Sequence, residues 1–162
     1  MRQNIFKETL LPIADKLFRL ALSITGNRED AEDVVQDVFL QVWNREDWEK
    51  IENIEAYCFR SIRNRALDTI ALKDNQLEMI SDDFDFPVQD DIERKIEARE
   101  QIDLVEKWIA NLPEKQQTIF RLREVEELSY KEIASILSIS EEQVKVILFR
   151  LRRKLKEHFD KN

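Results

Sequence analysis

Two helix starts follow each other closely near the C-terminus, and they leave that part of the chain few ways to fold. Ser129 precedes Glu132 by three residues, and Ser140 precedes Gln143 by three. Both spacings are those of a capping box, in which the Ser hydroxyl accepts from a first-turn amide while the Glu or Gln side chain reaches back to the cap amide. After the first start, Ile133, Ala134 and Leu137 give a short apolar stripe. After the second, Val144, Leu148, Leu151 and Leu155 give a longer one at helical spacing. Ser138-Ile139-Ser140 leaves room only for a tight turn. The pattern predicts a helix-turn-helix, whose second helix has the shape to enter a DNA major groove.

The charge of that second helix fits the same reading. Lys145, Arg150, Arg152, Arg153, Lys154 and Lys156 stand against only Glu141 and Glu142. Cations laid over a duplex release counterions and supply affinity independent of sequence. A solvated amphipathic helix whose basic end complements its own dipole is the plainer account. Cap, turn, stripe and charge agree, and their agreement favours DNA binding.

One Gly and three Pro among 162 residues, with 37% charged, point to an all-α chain with short connections. No apolar run approaches the length needed to span a membrane and no signal-peptide pattern opens the chain, so a cytoplasmic protein is expected. Cys58 is the only cysteine and His158 the only histidine, which excludes an internal disulfide and leaves no basis for a zinc site. A packed thiol is the expected state of Cys58. There is no Gly-rich phosphate loop and no Ser, His or Cys arrangement suited to catalysis, so neither an enzyme nor a cofactor is expected.

The net charge of −8 is spread unevenly. Residues 1–75 carry −3, residues 76–98 carry −6 and residues 99–162 carry +1. Two helical ends joined by an acidic strap emerge from this: residues 1–74, a linker over 75–91, and residues 92–162. In the first, Ile5 to Ile24 reads as a helix with Ile13, Leu17, Leu20 and Ile24 on one stripe. Pro12 either kinks it or marks its regular start, and Gly26 ends it. Arg28 to Trp43 is the strongest periodic segment. Ala31, Val34, Val35, Val38, Phe39, Val42 and Trp43 make one wide apolar face, with Asp30, Asp33, Gln36, Asp37 and Gln41 opposite. Such an acidic face is ordinarily just solvated.

Trp48 sits in the polar loop Asn44–Glu52, where it either folds back on the core or stacks on an unpaired base. Asn53 then caps a third helix, Ile54 to about Leu72. Phe59, Ile62, Ala66 and Ile70 can face inward, with Tyr57, Arg60, Arg63, Asn64 and Arg65 polar or exposed. Aromatic rings interleaved with arginines suit single-stranded nucleic acid, and ordinary snorkelling arginines account for them about as well. Asn75 to Asp91 breaks periodicity and reads as extended or disordered linker. Ile92 to Asn111 resumes as a helix, and Pro113 suits the first position of the next, which runs to about Val125.

Two distant stretches carry a family resemblance. Asp30-Ala31-Glu32-Asp33-Val34-Val35-Gln36-Asp37-Val38-Phe39, followed by Trp43, resembles region 2 of bacterial sigma factors. Leu112-Pro113-Glu114-Lys115-Gln116-Gln117 and the helix-turn-helix after it resemble region 4. In this order, with a short linker, the chain is similar from about Glu8 to Leu155 to the extracytoplasmic function group of the sigma-70 family. The resemblance implies two small helical domains, and a factor that binds core RNA polymerase and directs promoter-specific transcription initiation. It implies that Asp33, Gln36, Asp37 and Gln41 meet the clamp helices of the polymerase β′ subunit. Trp48, Tyr57, Arg60, Arg63 and Asn64 would meet the melted −10 element, where a flipped base costs a few kcal/mol to extrude. Ser140, Gln143, Lys145, Val146, Phe149, Arg150 and Arg153 would meet the −35 element, Lys or Arg addressing guanine or phosphate and Val or Phe a thymine methyl.

The same resemblance implies the β flap, promoter DNA and an anti-sigma factor as partners, and has the linker Gln76–Asp91 running toward the polymerase active centre as an acidic mimic of nucleic acid. Ile147 stands where many members carry Arg, and Ser138 replaces the usual Gly of the turn, implying a strained or slightly altered bend. The rival readings are a stand-alone helix-turn-helix regulator and a helical decoy of polymerase.

Overall fold

A computed structural model describes residues 4, 6–47, 50–80 and 97–160, and every regular element among them is helical. One π-helical turn, Phe6–Leu10, leads into α1 (Leu11–Thr25). Pro12 falls in the first turn of α1, directly after the π-helical turn, where its fixed φ is compatible with the helix. Gly26 closes α1 with φ +69° and returns its N–H to the Leu22 carbonyl at 2.8 Å. Asn27 then caps α2 (Arg28–Asn44), its side chain accepting from the amides of Glu29 and Asp30. α3 spans Ile54–Ile80, and its first turn is tied by the Asn53 side chain to the Ala56 amide at 3.0 Å.

α1, α2 and α3 pack pairwise. Their buried stripes are Ile13, Leu17, Leu20 and Ala21; Ala31, Val34, Val38 and Val42; and Ala56, Cys58, Phe59, Ile62 and Ala66. The stripe on α2 is narrower than its sequence suggests. Val35 and Phe39 are half-buried and Trp43 lies exposed at its edge, because only one side of the helix is covered by α1 and α3. α3 also runs through Asn75–Ile80, which the sequence pattern assigns to the linker. Gln76, Leu77, Glu78 and Met79 are good helix formers and carry the helix onward without an amphipathic pattern. The rest of the linker, with Phe84 and Phe86, lies outside the described residues, as do Ile92 and Ile96.

The second half holds α4 (Glu97–Ala110), α5 (Glu114–Glu124), α6 (Tyr130–Leu137) and α7 (Glu141–Asp160). Pro113 is the residue just before α5 rather than its first, at φ −52° and ψ 145°, a backbone with no helical ψ. Both capping boxes form. Ser129 Oγ accepts from the Glu132 amide at 3.0 Å, and Ser140 Oγ accepts from the Gln143 amide at 3.1 Å while the Ser140 amide donates to Gln143 Oε1 at 3.0 Å. The turn is made by Ser138 in the left-handed region, φ 57° and ψ 46°. A Cβ there costs roughly 1 kcal/mol that glycine escapes. Ser138→Gly is therefore expected to raise stability by about 0.5–1 kcal/mol, read as a higher urea midpoint. A lowered midpoint would show that the hydroxyl matters more than the strain.

The two halves touch. α1 meets α5 and α3 meets α6, and the buried side chains of both halves join one core. Burial on α3 holds the Glu55 carboxyl above the usual glutamate range, with Lys16 opposing and Glu132 on α6 adding to it. A folded-state value raised above the unfolded one means the folded chain keeps a proton that the unfolded chain releases. That contribution is full below the unfolded value, about 4.3, and disappears as pH rises through the folded one. The gain in melting temperature from Glu55→Gln should thus grow between pH 4 and pH 7. A difference that stays flat over that range would remove burial of the charge as the cause.

Candidate polymerase and nucleic-acid interfaces

The helix-turn-helix is held from inside and bare outside. Val144, Leu148 and Leu151 anchor α7 against Ile133, Ile136 and Leu137 of α6, with Leu155 half-buried beyond them. Each such side chain, fully buried, contributes roughly 1.5–3 kcal/mol. Seated this way, α7 turns Ser140, Gln143, Lys145, Val146, Phe149, Arg150 and Arg153 outward. Val146 is 47% exposed and Phe149 67%, which core packing does not explain. All seven residues designated from the sequence are thus exposed.

Tyr130 is a member of this site that the sequence reading passed over. Arg123 lies over its ring at 4.3 Å and Lys145 at 5.7 Å. Arg123 also donates to the Leu128 carbonyl at 2.8 Å, and Arg152 is held by Glu124 at 2.6 Å. The hydrogen bond to Glu124 holds the Arg152 guanidinium above its ordinary value, with Tyr130 contributing less. A cation within about 6 Å of a ring face is attracted by its quadrupole, which links Tyr130 to both Arg123 and Lys145. Tyr130 is the first residue of α6 and belongs to no motif that the sequence reading used.

A second cluster lies on α3. Tyr57 accepts a hydrogen bond from Gln41 Nε2 at 3.4 Å, and Arg45 stacks over its ring at 4.9 Å. Hydrogen bonds that Arg45 donates, first to Asp47 and then to Tyr57, raise its guanidinium above its ordinary value, and Arg45 in turn lowers the Asp47 carboxyl. Asn64 is exposed. Arg60 and Arg63 are not bare. Arg60 donates to the carbonyl and hydroxyl of Ser135, and Arg63 makes a two-pronged pair with Glu114 at 3.0 and 2.8 Å. Phe59 points into the core, fully buried, and Cys58 beside it is a buried thiol that burial pushes up to about 12. Trp48 lies outside the described residues.

The third cluster is the outer side of α2. Asp33 and Gln36 are exposed, whereas Asp37 accepts from Arg65 at 2.9 Å and Asp30 pairs with Lys73. Exposed pairs of this kind are worth about 0–1 kcal/mol and exchange readily for a partner's cation. Next to the carboxylates lies an apolar hollow formed by Phe6, Gln36, Phe39, Leu40 and Trp43. Phe6 meets the rings of Phe39 and Trp43 edge-on at 5.8 and 4.9 Å, and Leu40 is 60% exposed. Acidic groups rimming exposed apolar side chains are the makings of a protein-docking surface. Reading Trp43 as core hid this hollow. Among the described residues no group of His, Cys, Asp and Glu could hold a metal, and no helix is long and apolar enough to cross a membrane.

A helix-turn-helix with an open basic and apolar face, joined to a helical bundle with a docking surface, defines a DNA-binding transcription factor built to work with a protein partner. Residues 13–76 match Sigma-70 region 2 and residues 102–155 match Sigma-70, region 4. The ECF RNA polymerase sigma factor SigM of Bacillus subtilis is 24% identical over 145 residues, 90% of this chain and 89% of that one. SigE of Mycolicibacterium smegmatis is 28% identical over 153 residues, covering 92% of this chain and 59% of the longer relative. The fold is shared with the sigma factor RpoE of Bartonella quintana in complex with the anti-sigma factor NepR (TM-score 0.74, 23% identity, 97% of this chain and 98% of that one). It is also shared with CnrH in complex with the cytosolic domain of CnrY (TM-score 0.65, 21% identity, 99% of this chain and 90% of that one). The chain belongs to the extracytoplasmic function group of sigma-70 family RNA polymerase sigma factors.

Proposed function

We propose that this sigma factor divides its work among the three clusters. The outer side of α2, with Asp33, Gln36, Asp37 and Gln41 around the Phe39/Leu40/Trp43 hollow, docks on the clamp helices of the polymerase β′ subunit, and the second domain meets the β flap. Tyr57, Arg60, Arg63 and Asn64, with Trp48, hold the melted −10 strand by stacking and by guanidinium contacts. Ser140, Gln143, Lys145, Val146, Phe149, Arg150 and Arg153 read the −35 element in the major groove. Recruitment proceeds by binding energy, with no chemistry of the chain's own, in the cytoplasm and under an anti-sigma partner. The observation that carries the reading is the outward placement of Val146 and Phe149 among cations on α7, beside a core that fully occupies the other side of that helix.

In vitro transcription from a promoter library, with core polymerase and with or without this protein, tests it. Protein-dependent starts sharing two short upstream elements are expected. Association with core enzyme without new starts would favour a decoy. Neither starts nor association would leave a stand-alone regulator.

A further inference from the structure

A cavity of about 350 Å³ is lined by residues of α1, α4 and α5. That volume lies at the small end of the range for ligand sites, roughly 300–1,000 Å³. Its apolar lining grades from Leu20 and Leu122, which are buried, to Leu22 and Val125, which are exposed. Four charged side chains complete it, Arg19 with Glu126 as one pair and Arg121 with Glu106 as the other. None of these residues belongs to the hollow on α2, the cluster on α3 or the outer side of α7.

The two pairs differ in how fully the arginine is used. Arg19 donates from both Nε and Nη2 to Glu126, at 2.7 and 2.8 Å, and Glu126 is buried. That edge of the fork is occupied. Arg121 gives only Nη2, at 3.0 Å, to a Glu106 side chain that is 52% exposed. The Arg121 side chain is 19% exposed, and its Nε is buried with no acceptor among the described residues. A buried donor without an acceptor is costly, and it calls for a partner. A carboxylate on the Nε and Nη2 edge would make with Arg121 the two-pronged pair that Glu126 makes with Arg19, the strong form of this contact.

The burial of the second pair also sets the sign of the charge. Glu106 can return to water at little cost, because an exposed ion pair of this kind is weak. Arg121 cannot, so a cation drawing Glu106 away would leave a shielded guanidinium uncompensated. With Arg19 already satisfied, the cavity has room for one negative charge and no more.

We propose that this cavity is a binding site for a small amphipathic monoanion. Its apolar body lies against Leu20, Leu22, Leu122 and Val125, and its carboxylate takes Nε and Nη2 of Arg121 in place of Glu106.

The test titrates sodium octanoate into the isotopically labelled full chain and follows backbone amide and arginine Nε–H signals by two-dimensional NMR. Octanol and octylamine serve as the matched neutral and cationic probes. Octanoate is expected to saturate in the low-millimolar range or below, as its size allows. The Leu22, Leu122 and Val125 amides and the Arg121 Nε–H signal should move together. Octanol should bind about tenfold more weakly for want of the charge-assisted pair, and octylamine should leave the Arg121 signal in place. Glu106→Gln removes the competing carboxylate and should tighten octanoate binding by up to about fivefold, a gain that impaired folding does not imitate. Arg121→Lys keeps the charge but has no Nε edge, and should weaken binding by about tenfold. Val125→Trp, filling the cavity from its exposed end, should abolish it.

Octanol binding as tightly as octanoate overturns the anion site and leaves an unselective apolar cleft. Signals that move around Phe39, Leu40 and Trp43 instead, undisturbed by Val125→Trp, place the probe in the hollow on α2 and overturn the assignment. The absence of any saturable shift in the wild-type chain overturns it outright.

Discussion

Replacing Phe59 with alanine should bring the first domain to the edge of unfolding. Phe59 is the largest of the fully buried side chains and lies where α3 faces the core. Phe-to-Ala at such a site costs about 3–5 kcal/mol, part lost transfer energy and part the cavity left behind. A domain's whole stability is roughly 5–15 kcal/mol. A urea titration followed by circular dichroism should show the midpoint falling by a large part of its value. Asn64→Ala, one helical turn further and exposed, should leave the midpoint within about 0.5 kcal/mol of wild type. The contrast separates a ring that the sequence pattern turns inward from a polar residue on the same helix that the resemblance assigns to the melted strand. If Phe59→Ala shifts stability by less than about 1 kcal/mol, the ring is not a core member.

That residue illustrates where sequence was sufficient and where it was not. Features written in adjacent residues were legible: the Ser129 and Ser140 boxes, the Gly26 terminator, and the alternating burial of Val144, Leu148 and Leu151 all depend on local geometry alone. The outward side of α7 was legible by subtraction, since Val146 and Phe149 fall off the buried stripe. Trp43 was misplaced because periodicity reports which residues could share a face, and how much of that face is covered depends on the number of neighbouring helices. α1 and α3 cover one side of α2, and the flank they leave, met among the described residues only by Phe6 of the π-helical turn, holds the hollow. Asn75–Ile80 was misplaced for the converse reason, since good helix formers extend α3 with no pattern to announce it. The pairs Arg63–Glu114 and Arg19–Glu126 had no sequence signal at all. Their members are separated by 51 and 107 residues, and a surface arginine looks the same whether or not a carboxylate from another domain awaits it.

Arg150→Glu should abolish promoter use while leaving the fold intact. Arg150 is exposed on α7, and its neighbours Leu148 and Leu151 do the packing, so the melting temperature should stay within a degree or two of wild type, as for other surface changes. Loss of a bidentate guanine contact removes about 1–3 kcal/mol, and a carboxylate in its place adds repulsion from phosphates on both walls of the groove. Together these predict at least about a hundredfold loss of transcription from the factor's own promoters, since each 1.4 kcal/mol is tenfold. Association with core polymerase should be unaffected, because the outer side of α2 is a separate surface. Arg150→Lys separates the two chemistries open to this position. A point charge replaces a phosphate contact with little loss but cannot reproduce the fork presented to guanine, so a tenfold deficit confined to one base of the −35 element would indicate base reading. A uniform, small deficit, with the salt slope lowered by about one on going to Arg150→Glu, would indicate a phosphate. Transcription undiminished in Arg150→Glu would mean that α7 does not enter the groove by this side.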